Sequence, residues 1–376
     1  MQDEASIQRQ VHRETHFSPP YCPNPKCQHH SPEKANPSFC IRYGAKKIKR
    51  FPYFSQRFRC LDCQRSFTAS FFQLYFRQKV WGFNEFIFNW HNKGVSLREL
   101  AREIKHSERM VRGRKKRMAQ WALFKHSKMI EDLKIEEPIV YDGLENFSFS
   151  QYEPNNINHA VGKNSLFTYD FNFCPLNRKG RMSTHQKRRK KKLEEKHGPY
   201  PRDAIRTTTK ELFQRLTQRA KSLCIYSDRH FQYERVVKWD LEDKNIKHIK
   251  VSSKIHRNYQ NPLFAVNNID LMARHNLAAF KRETIAFSKH SIAMMESYVL
   301  YMIGRNYLRP KFWGTHRSDP MSSKKSPAME LGLQETILSF KEFFSERVLL
   351  SHTKLNKNWK RIVLREDPWS RQKIAA

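Results

Sequence analysis

Apolar residues recur with a helical period in the segment from Val80 to about His126. One face of the first predicted helix in this segment carries Leu97, Leu100, Ala101 and Ile104, spaced three and four residues apart. Ser96 stands before that helix, and Ser107 stands after a short turn, at positions where serine favours the start of a helix. The pattern therefore predicts two helices joined by a turn.

From Ile139 onward the pattern changes to short apolar runs that predict strands, in IVYDGLENFSFSQY, INHAVG, SLFTYDFNF and SLCIYSDRH. Earlier runs of the same kind are FCIRYG, RFRCLDC and SFTASFF. Helical character is strongest in NIDLMARHNLAAFKRE, SIAMMESYVLYMIGRNYL and ETILSFKEFFSERVLL. Strands followed by helices within one long segment predict an α/β fold class.

Changes in this pattern divide the chain of 376 residues into five parts. They are a flexible N-terminus (1–20), a cysteine-rich ribbon (21–75), a helical DNA-binding domain (76–128), an α/β domain (136–310) and a C-terminal helical, basic extension (311–376). A charged, helix-like insert (178–219) with the run KRRKKK at Lys187 to Lys192 interrupts the α/β domain.

The charge indicates the class of partner. Lys and Arg number 71 against 36 acidic residues, which gives a formal net charge of +35 and a pI near 10.1. So positive a surface favours binding to nucleic acid, since neutralising phosphates releases counterions. No apolar stretch is long enough for a membrane span, and the first residues lack the apolar core of a secretory signal. We therefore expect a cytoplasmic, nucleoid-associated protein of prokaryotic type.

The cysteines predict a metal site. Cys22 and Cys27 form a C-x4-C pair, and Cys60 and Cys63 form a C-x2-C pair. Two such pairs supply the four sulfur ligands that Zn²⁺ prefers in structural sites. The alternatives are four ordinary buried thiols, or replacement of one ligand by a residue within the loop (His29, His30 or Cys40). Cys174 and Cys224 lie in apolar strand contexts and are predicted to be core residues.

The two predicted helices have the layout of a helix-turn-helix, and the second is strongly basic. Its expected DNA contacts are Arg109, Arg112, Arg114, Lys115, Lys116 and Arg117. In such a unit the second helix lies in the major groove, with its first residues at base edges and its basic residues at phosphates. The alternative is a basic helix that faces only solvent.

Two acidic residues follow predicted strands. Asp142 follows the apolar run IVY, and Asp228 ends SLCIYSD. Acids at the ends of adjacent central strands can converge and, with a third acid, bind two Mg²⁺ ions that act on a phosphodiester. A single Asp after a strand is more often a turn or helix cap, so the pair carries the hypothesis.

The order of ribbon, helix-turn-helix, YDGLENF, YSDRH and the later VNNID…RHNL…KRETIAFSK resembles the insertion-sequence DDE transposases that have an amino-terminal zinc ribbon. The resemblance covers about residues 21–307 and implies a ribonuclease H-like fold with Mg²⁺ or Mn²⁺ as cofactor. It also implies that DNA is cut and joined without a covalent protein intermediate. The third acid would be Asp270, with Asn267, Glu283 and Glu296 as alternatives, or Asp270 is only a helix cap.

We therefore expect a transposase that binds the terminal inverted repeats of an insertion sequence as double-stranded DNA. Pairing of two DNA ends implies a homo-oligomer by analogy. A non-catalytic, sequence-specific DNA-binding regulator is the main alternative, and an RNA-binding or RNA-processing protein is a third.

Overall fold

A computed structural model describes residues 17–47, 54–281, 283–312 and 324–366 of the chain. It has a small antiparallel sheet near the N-terminus, a group of helices, and a larger mixed sheet that is covered by helices. The predicted α/β class is confirmed at this level. The predicted flexible N-terminus lies outside the described residues except for 17–20.

The small sheet belongs to the cysteine-rich segment. Its three antiparallel strands are β1 (Cys40–Lys47), β2 (Phe54–Cys60) and β3 (Ser66–Thr68). Next to this sheet, Cys22, Cys27, Phe39 and Cys60 form an apolar cluster that is separate from the main core. So small a core buries little apolar surface, and modules of this size are often stabilised by a metal.

The predicted capped helices are confirmed. The helical segment contains α1 (Asn84–His91), α2 (Leu97–Glu103) and α3 (Glu108–Met129). The Ser96 and Ser107 side chains accept hydrogen bonds from the Glu99 and Met110 amides and so begin α2 and α3. The third helix ends at Met129, close to the predicted end of the helical segment near His126, and its second half packs in the core.

The larger sheet has five strands in the order β6-β5-β4-β7-β8. Its strands are β4 (Ile139–Phe147), β5 (Pro154–Gly162), β6 (Thr168–Pro175), β7 (Leu223–Asp228) and β8 (Ile246–Val251). The first three form an antiparallel meander, and β7 and β8 add in parallel on the other side of β4. Strands β4 and β7 are therefore neighbours at the centre of the sheet.

Helices cover both faces of this sheet. They are α4 (Thr184–His197), α5 (Ala204–Thr217), α6 (Phe231–Arg235), α7 (Phe264–Asn276) and α8 (Ser291–Tyr307). On one face Tyr141 of β4 bonds to Thr209 of α5, and on the other His159 of β5 contacts Tyr298 of α8. All residues of α8 except Ala293 are buried, so this apolar helix is a core element. Among the described residues, no helix is both long and apolar enough to cross a membrane.

The C-terminal segment corrects one prediction. ETILSFKEFFSERVLL was predicted as one helix, but only α10 (Phe340–Phe343) forms there, between α9 (Pro327–Glu330) and α11 (Lys357–Leu364). Phe340 and Phe343 turn into the core, and the Arg347 side chain donates to the Phe71 carbonyl, 2.6 Å away, beside the small sheet. These tertiary contacts outweigh the local helical preference.

Candidate functional site

The four predicted zinc ligands converge on one point. The sulfur atoms of Cys22, Cys27, Cys60 and Cys63 all lie within 4.8 Å of one another. The Cys22–Cys63 and Cys27–Cys60 Sγ distances are 3.6 and 3.7 Å. Tetrahedral zinc with Zn–S bonds of about 2.3 Å requires sulfur atoms about 3.8 Å apart. The cluster is therefore compatible with zinc without rearrangement.

Tight backbone turns hold the two pairs in place. The Cys27 amide donates to the Asn24 carbonyl at 3.0 Å, and the Cys22 amide donates to the His29 carbonyl at 2.8 Å. The Cys60 amide donates to the Arg65 carbonyl at 3.0 Å, which closes the second turn. Each turn directs two sulfur atoms to the same side.

The alternative ligands lie outside the cluster. The His30 ring lies between the Cys22 carbonyl and the Ser351 hydroxyl, at 2.8 and 2.7 Å, and the His29 ring stacks on Phe39. Cys40 pairs with Cys60 across β1 and β2 but does not join the four thiols. Elsewhere, Cys174 is buried as predicted, while Cys224 is only half-buried.

Without a metal, the thiols of this cluster differ in acidity. Burial raises the pKa of Cys22, and it raises that of Cys27 to about 12. For Cys63 burial is outweighed by hydrogen bonds from Asn24 and Arg65, which lower the pKa to about 7. Zinc binds thiolates, so binding has to offset the free-energy cost of deprotonating these buried thiols. Metal binding is therefore coupled to folding of the ribbon.

Two of the predicted acids lie on neighbouring central strands. In the parallel β4–β7 pair, Val140 lies opposite Tyr226. The same pairing continued by two residues brings Asp142 level with Asp228, the last residue of β7. Asp142 accepts a hydrogen bond from the Gly143 amide at 2.7 Å, and Asp228 accepts one from the His230 amide at 3.0 Å.

Asp270, on α7, interacts electrostatically with Asp142. Burial, and then the negative charge of Asp270, raise the pKa of Asp142 to about 7, with Asp228 adding to the effect and the Gly143 amide opposing it. Asp142 therefore interacts electrostatically with both other acids. The helix begins at Phe264, so Asp270 lies in its second turn and does not cap it.

His159 was not singled out from the sequence, yet it lies against this acidic cluster. It is directly opposite Asp142 in the β4–β5 pair, so the two side chains share one face of the sheet. Its Nε2 is 2.9 Å from Asp270 Oδ1, in a contact that lacks hydrogen-bond angles, and its Nδ1 is 2.6 Å from the Tyr298 hydroxyl. The ring is fully buried, and Asp270 lies directly beside it.

The other candidates for the third acid are placed differently. Glu296 is buried on α8 and forms ion pairs with Lys115 and Arg365. Glu283 is exposed in a loop, with a left-handed backbone φ of 54°. Asn267 lies one turn before Asp270 on α7 and is half-buried. Among these residues, Asp270 is the one that raises the pKa of Asp142.

The carboxylates are more widely spread than the thiols. Among the described residues, the cysteines form the sole set of three or more possible ligands within 4.8 Å of one another. The acids therefore do not form a compact cage for a single ion.

The basic residues of α3 fall into two groups, and two of the predicted DNA contacts need correction. Arg114 is buried and donates to Gln78, Val80, Gly82 and Asn84, around α1. Lys115 is buried and donates to the Ala293 carbonyl and the Ser297 hydroxyl of α8, at 2.7 and 3.0 Å. Burial lowers their pKa values, to about 10 and about 8, so both are structural residues that cannot reach DNA.

The remaining basic residues of α3 are more accessible. Arg109 and Arg112 are exposed near the start of the helix, and Lys116 is half-buried. Arg112 pairs with Glu108 at 2.5 Å, an exposed contact that a phosphate can replace. Arg117 is half-buried, and its guanidinium donates to the Phe76 carbonyl. Among the predicted DNA contacts, the accessible cations therefore lie in the N-terminal half of this helix.

The comparisons with known proteins leave the family open. No family model matches the chain, and no curated protein matches it either. Its function is therefore inferred from the residues and their geometry.

The raised pKa of Asp142 gives a first prediction. The ordinary pKa is 3.8 and the folded value is about 7, so the folded chain favours the protonated acid. Stability from this group is greatest below the ordinary value and is lost as pH rises to about 7. In EDTA near pH ~8, Asp142→Asn should melt roughly a few degrees above the unmodified protein. The gain should vanish toward pH ~4, and equal melting temperatures near pH ~8 would contradict the burial of this charge.

Proposed function

We propose that the chain is a DDE-type transposase that binds the terminal repeats of an insertion sequence and cuts and joins DNA with divalent metal ions. The observations that carry the proposal are the placement of Asp142 and Asp228 on neighbouring central strands and the electrostatic interaction of Asp142 with both Asp228 and Asp270 of α7. Like charges raise one another's free energy when they approach in a half-buried place. A fold that nevertheless gathers three of them provides a place for cations.

The donor set fits Mg²⁺. Carboxylate oxygens are the ligands that this hard cation prefers, and the Asp270 Oδ1 makes no hydrogen bond in the described chain, with His159 Nε2 2.9 Å away. Two-metal sites hold their ions about 3.5–4 Å apart, so ligands spread over more than one coordination sphere are expected. Bound there, the metals would activate the attacking oxygen and stabilise the leaving oxygen of a phosphodiester.

The residues around the acids have positioning roles in this proposal. Asp142 and Asp228 lie on neighbouring strands, so the pairing of these strands fixes the separation of their backbones. His159, which contacts the Tyr298 hydroxyl, lies beside Asp270 and on the same face of the sheet as Asp142. The sheet consists of the antiparallel strands β4, β5 and β6, with β7 and β8 added in parallel beside β4. This order supports a ribonuclease H-like assignment, because β4 and β7, which carry Asp142 and Asp228, are neighbours.

The DNA-binding parts of the proposal are the zinc ribbon, the helix-turn-helix formed by α2 and α3, and the basic helix α4. In the helix-turn-helix, Arg109 and Arg112 are the expected contacts, since the first residues of a recognition helix face base edges. Lys116 extends this surface toward phosphates. A homo-oligomer on DNA would bring two element ends together.

The proposal is tested by Mg²⁺-dependent strand cleavage of a labelled duplex that carries the DNA flanking the gene on either side. We expect cleavage with Mg²⁺ or Mn²⁺ and none with EDTA. Tight, sequence-specific binding without cleavage under any divalent metal would instead favour the regulator, and binding to RNA in preference to DNA would favour the third alternative.

The two basic surfaces should differ in specificity. Arg109→Gln with Arg112→Gln should weaken binding to end sequences more than to unrelated DNA, because base edges carry the sequence information. Neutralising Lys187 to Lys192 should weaken both alike and lower the salt dependence, by about 0.9 in log–log slope per lost phosphate contact. Gel shifts at several salt concentrations measure both effects. Equal losses on the two DNAs for the α3 variant would overturn its role in reading sequence.

A further inference from the structure

A cavity of about 800 Å³ lies beside the turn between β4 and β5, under helix α4. Its volume is within the range of about 300–1,000 Å³ that is typical of ligand sites. Aromatic side chains of the turn and of the loop before α8 line one side: Phe147, Phe149, Tyr152 and Phe287. Nothing assigned above accounts for it.

Helix α4 supplies another part of the lining of this cavity. Gln186, Arg189, Leu193 and Lys196 line it, and their spacing of three and four residues places them along one side of the helix. Arg188 and Lys191 are exposed and do not line it. The lining of the cavity therefore combines aromatic rings with the two cations Arg189 and Lys196.

Helix α4 buries little of its surface against the rest of the protein. It buries none of its 14 residues, and it carries seven Lys or Arg against two Glu, a difference of +5. A capping box at Ser183 and the pairs Lys190–Glu194 and Lys191–Glu195 support it locally. Most helices in proteins are stabilised chiefly by packing of an apolar face. The exposed surface of α4 is instead positively charged and complementary to a polyanion.

The turn itself holds an aromatic ring in an unfavourable backbone conformation. Phe149 has a φ of 63°, a left-handed value that is rare for bulky residues, and its amide donates to the Ser288 carbonyl at 2.8 Å. Such conformations cost free energy and cluster at binding sites. Here the result is that the Phe149 ring lines the cavity.

We propose that this cavity receives an unstacked nucleobase of the bound DNA, with the adjoining phosphates held by Arg189 and Lys196. The proposal rests on the DNA-binding function above and adds a site for a base that has left the helix. Bases stack on aromatic rings regardless of sequence, and cations beside the rings hold the backbone. The cavity lies five residues along β4 from Asp142, about 17 Å at the rise of a strand.

The test compares two short duplexes of the same sequence, one fully paired and one with a single bulged thymine. Fluorescence anisotropy at fixed salt should show binding to the bulged duplex that is tighter on the order of tenfold. Phe287→Ala and Arg189→Gln should each remove this preference. Arg188→Gln makes the same chemical change at the adjacent position, which does not line the cavity, and should keep it.

The outcomes separate the two proposals. Equal binding of both duplexes by the unmodified protein overturns the cavity proposal and leaves DNA binding intact. Failure to bind either duplex overturns both. If Arg188→Gln also loses the preference for the bulged duplex, the preference depends on the overall charge of α4, and the proposed base-binding site is overturned. If Phe287→Ala does not fold, Arg189→Gln alone decides, because Arg189 is exposed and supports no core contact.

Discussion

Asp142→Asn is expected to lower the rate of DNA cleavage by on the order of a thousandfold or more. Bound metal ions lower the activation barrier by several kcal/mol, and each 1.36 kcal/mol corresponds to about tenfold in rate. The amide keeps the shape of the carboxyl but lacks the charge that holds the metals. DNA binding should remain or become tighter, because a charge that repels phosphate is removed. Asp270→Asn should have a comparable effect.

The controls for this loss are matched in chemistry. Asp243→Asn is the same change at an exposed residue, just before β8, that forms an ion pair with Lys244, and this variant should cleave normally. Glu296→Gln removes an acid that is buried between Lys115 and Arg365, so its effect should be on stability. Loss of cleavage in a stable, folded Glu296→Gln protein, with Asp270→Asn active, would show that the third ligand is Glu296.

Cys60→Ser is expected to remove zinc and to unfold the N-terminal ribbon. Binding of structural zinc supplies folding free energy on the order of 10 kcal/mol in small zinc modules, and the apolar cluster around Cys22 and Phe39 is too small to replace it. Elemental analysis should find about one zinc per chain in the unmodified protein. The variant should contain far less and should be cut by protease within residues 21–75.

Cys40→Ser provides the matched control for the ribbon. Cys40 lies opposite Cys60 in the same sheet, but its sulfur is not one of the four. It should keep its zinc and resist protease. Full zinc content in Cys60→Ser, or loss of zinc in Cys40→Ser, would contradict the assignment of the ligands.

The sequence predicted features that depend on local spacing. The paired cysteines indicated their own cluster, because each pair is closed by a tight turn of a few residues. Ser96 and Ser107 indicated the starts of α2 and α3, because capping involves only the next three residues. The strands carrying Asp142 and Asp228 were visible for the same reason.

Features that depend on tertiary packing were not predictable. Arg114 and Arg112 look alike in the sequence, and only the packing of α3 against the start of α1 and the segment before it buries the first and leaves the second exposed. Strand β8 was missed because lysines interrupt its apolar residues. The role of His159 follows from its register opposite Asp142, which no local pattern encodes.

The central claim is that three carboxylates form one metal-dependent site for DNA cleavage. The most direct test is strand cleavage by Asp228→Asn of a labelled duplex containing the flanking DNA, with Mg²⁺, beside a gel shift on the same duplex. The claim predicts normal binding and almost no cleavage. Normal cleavage by Asp228→Asn would contradict it.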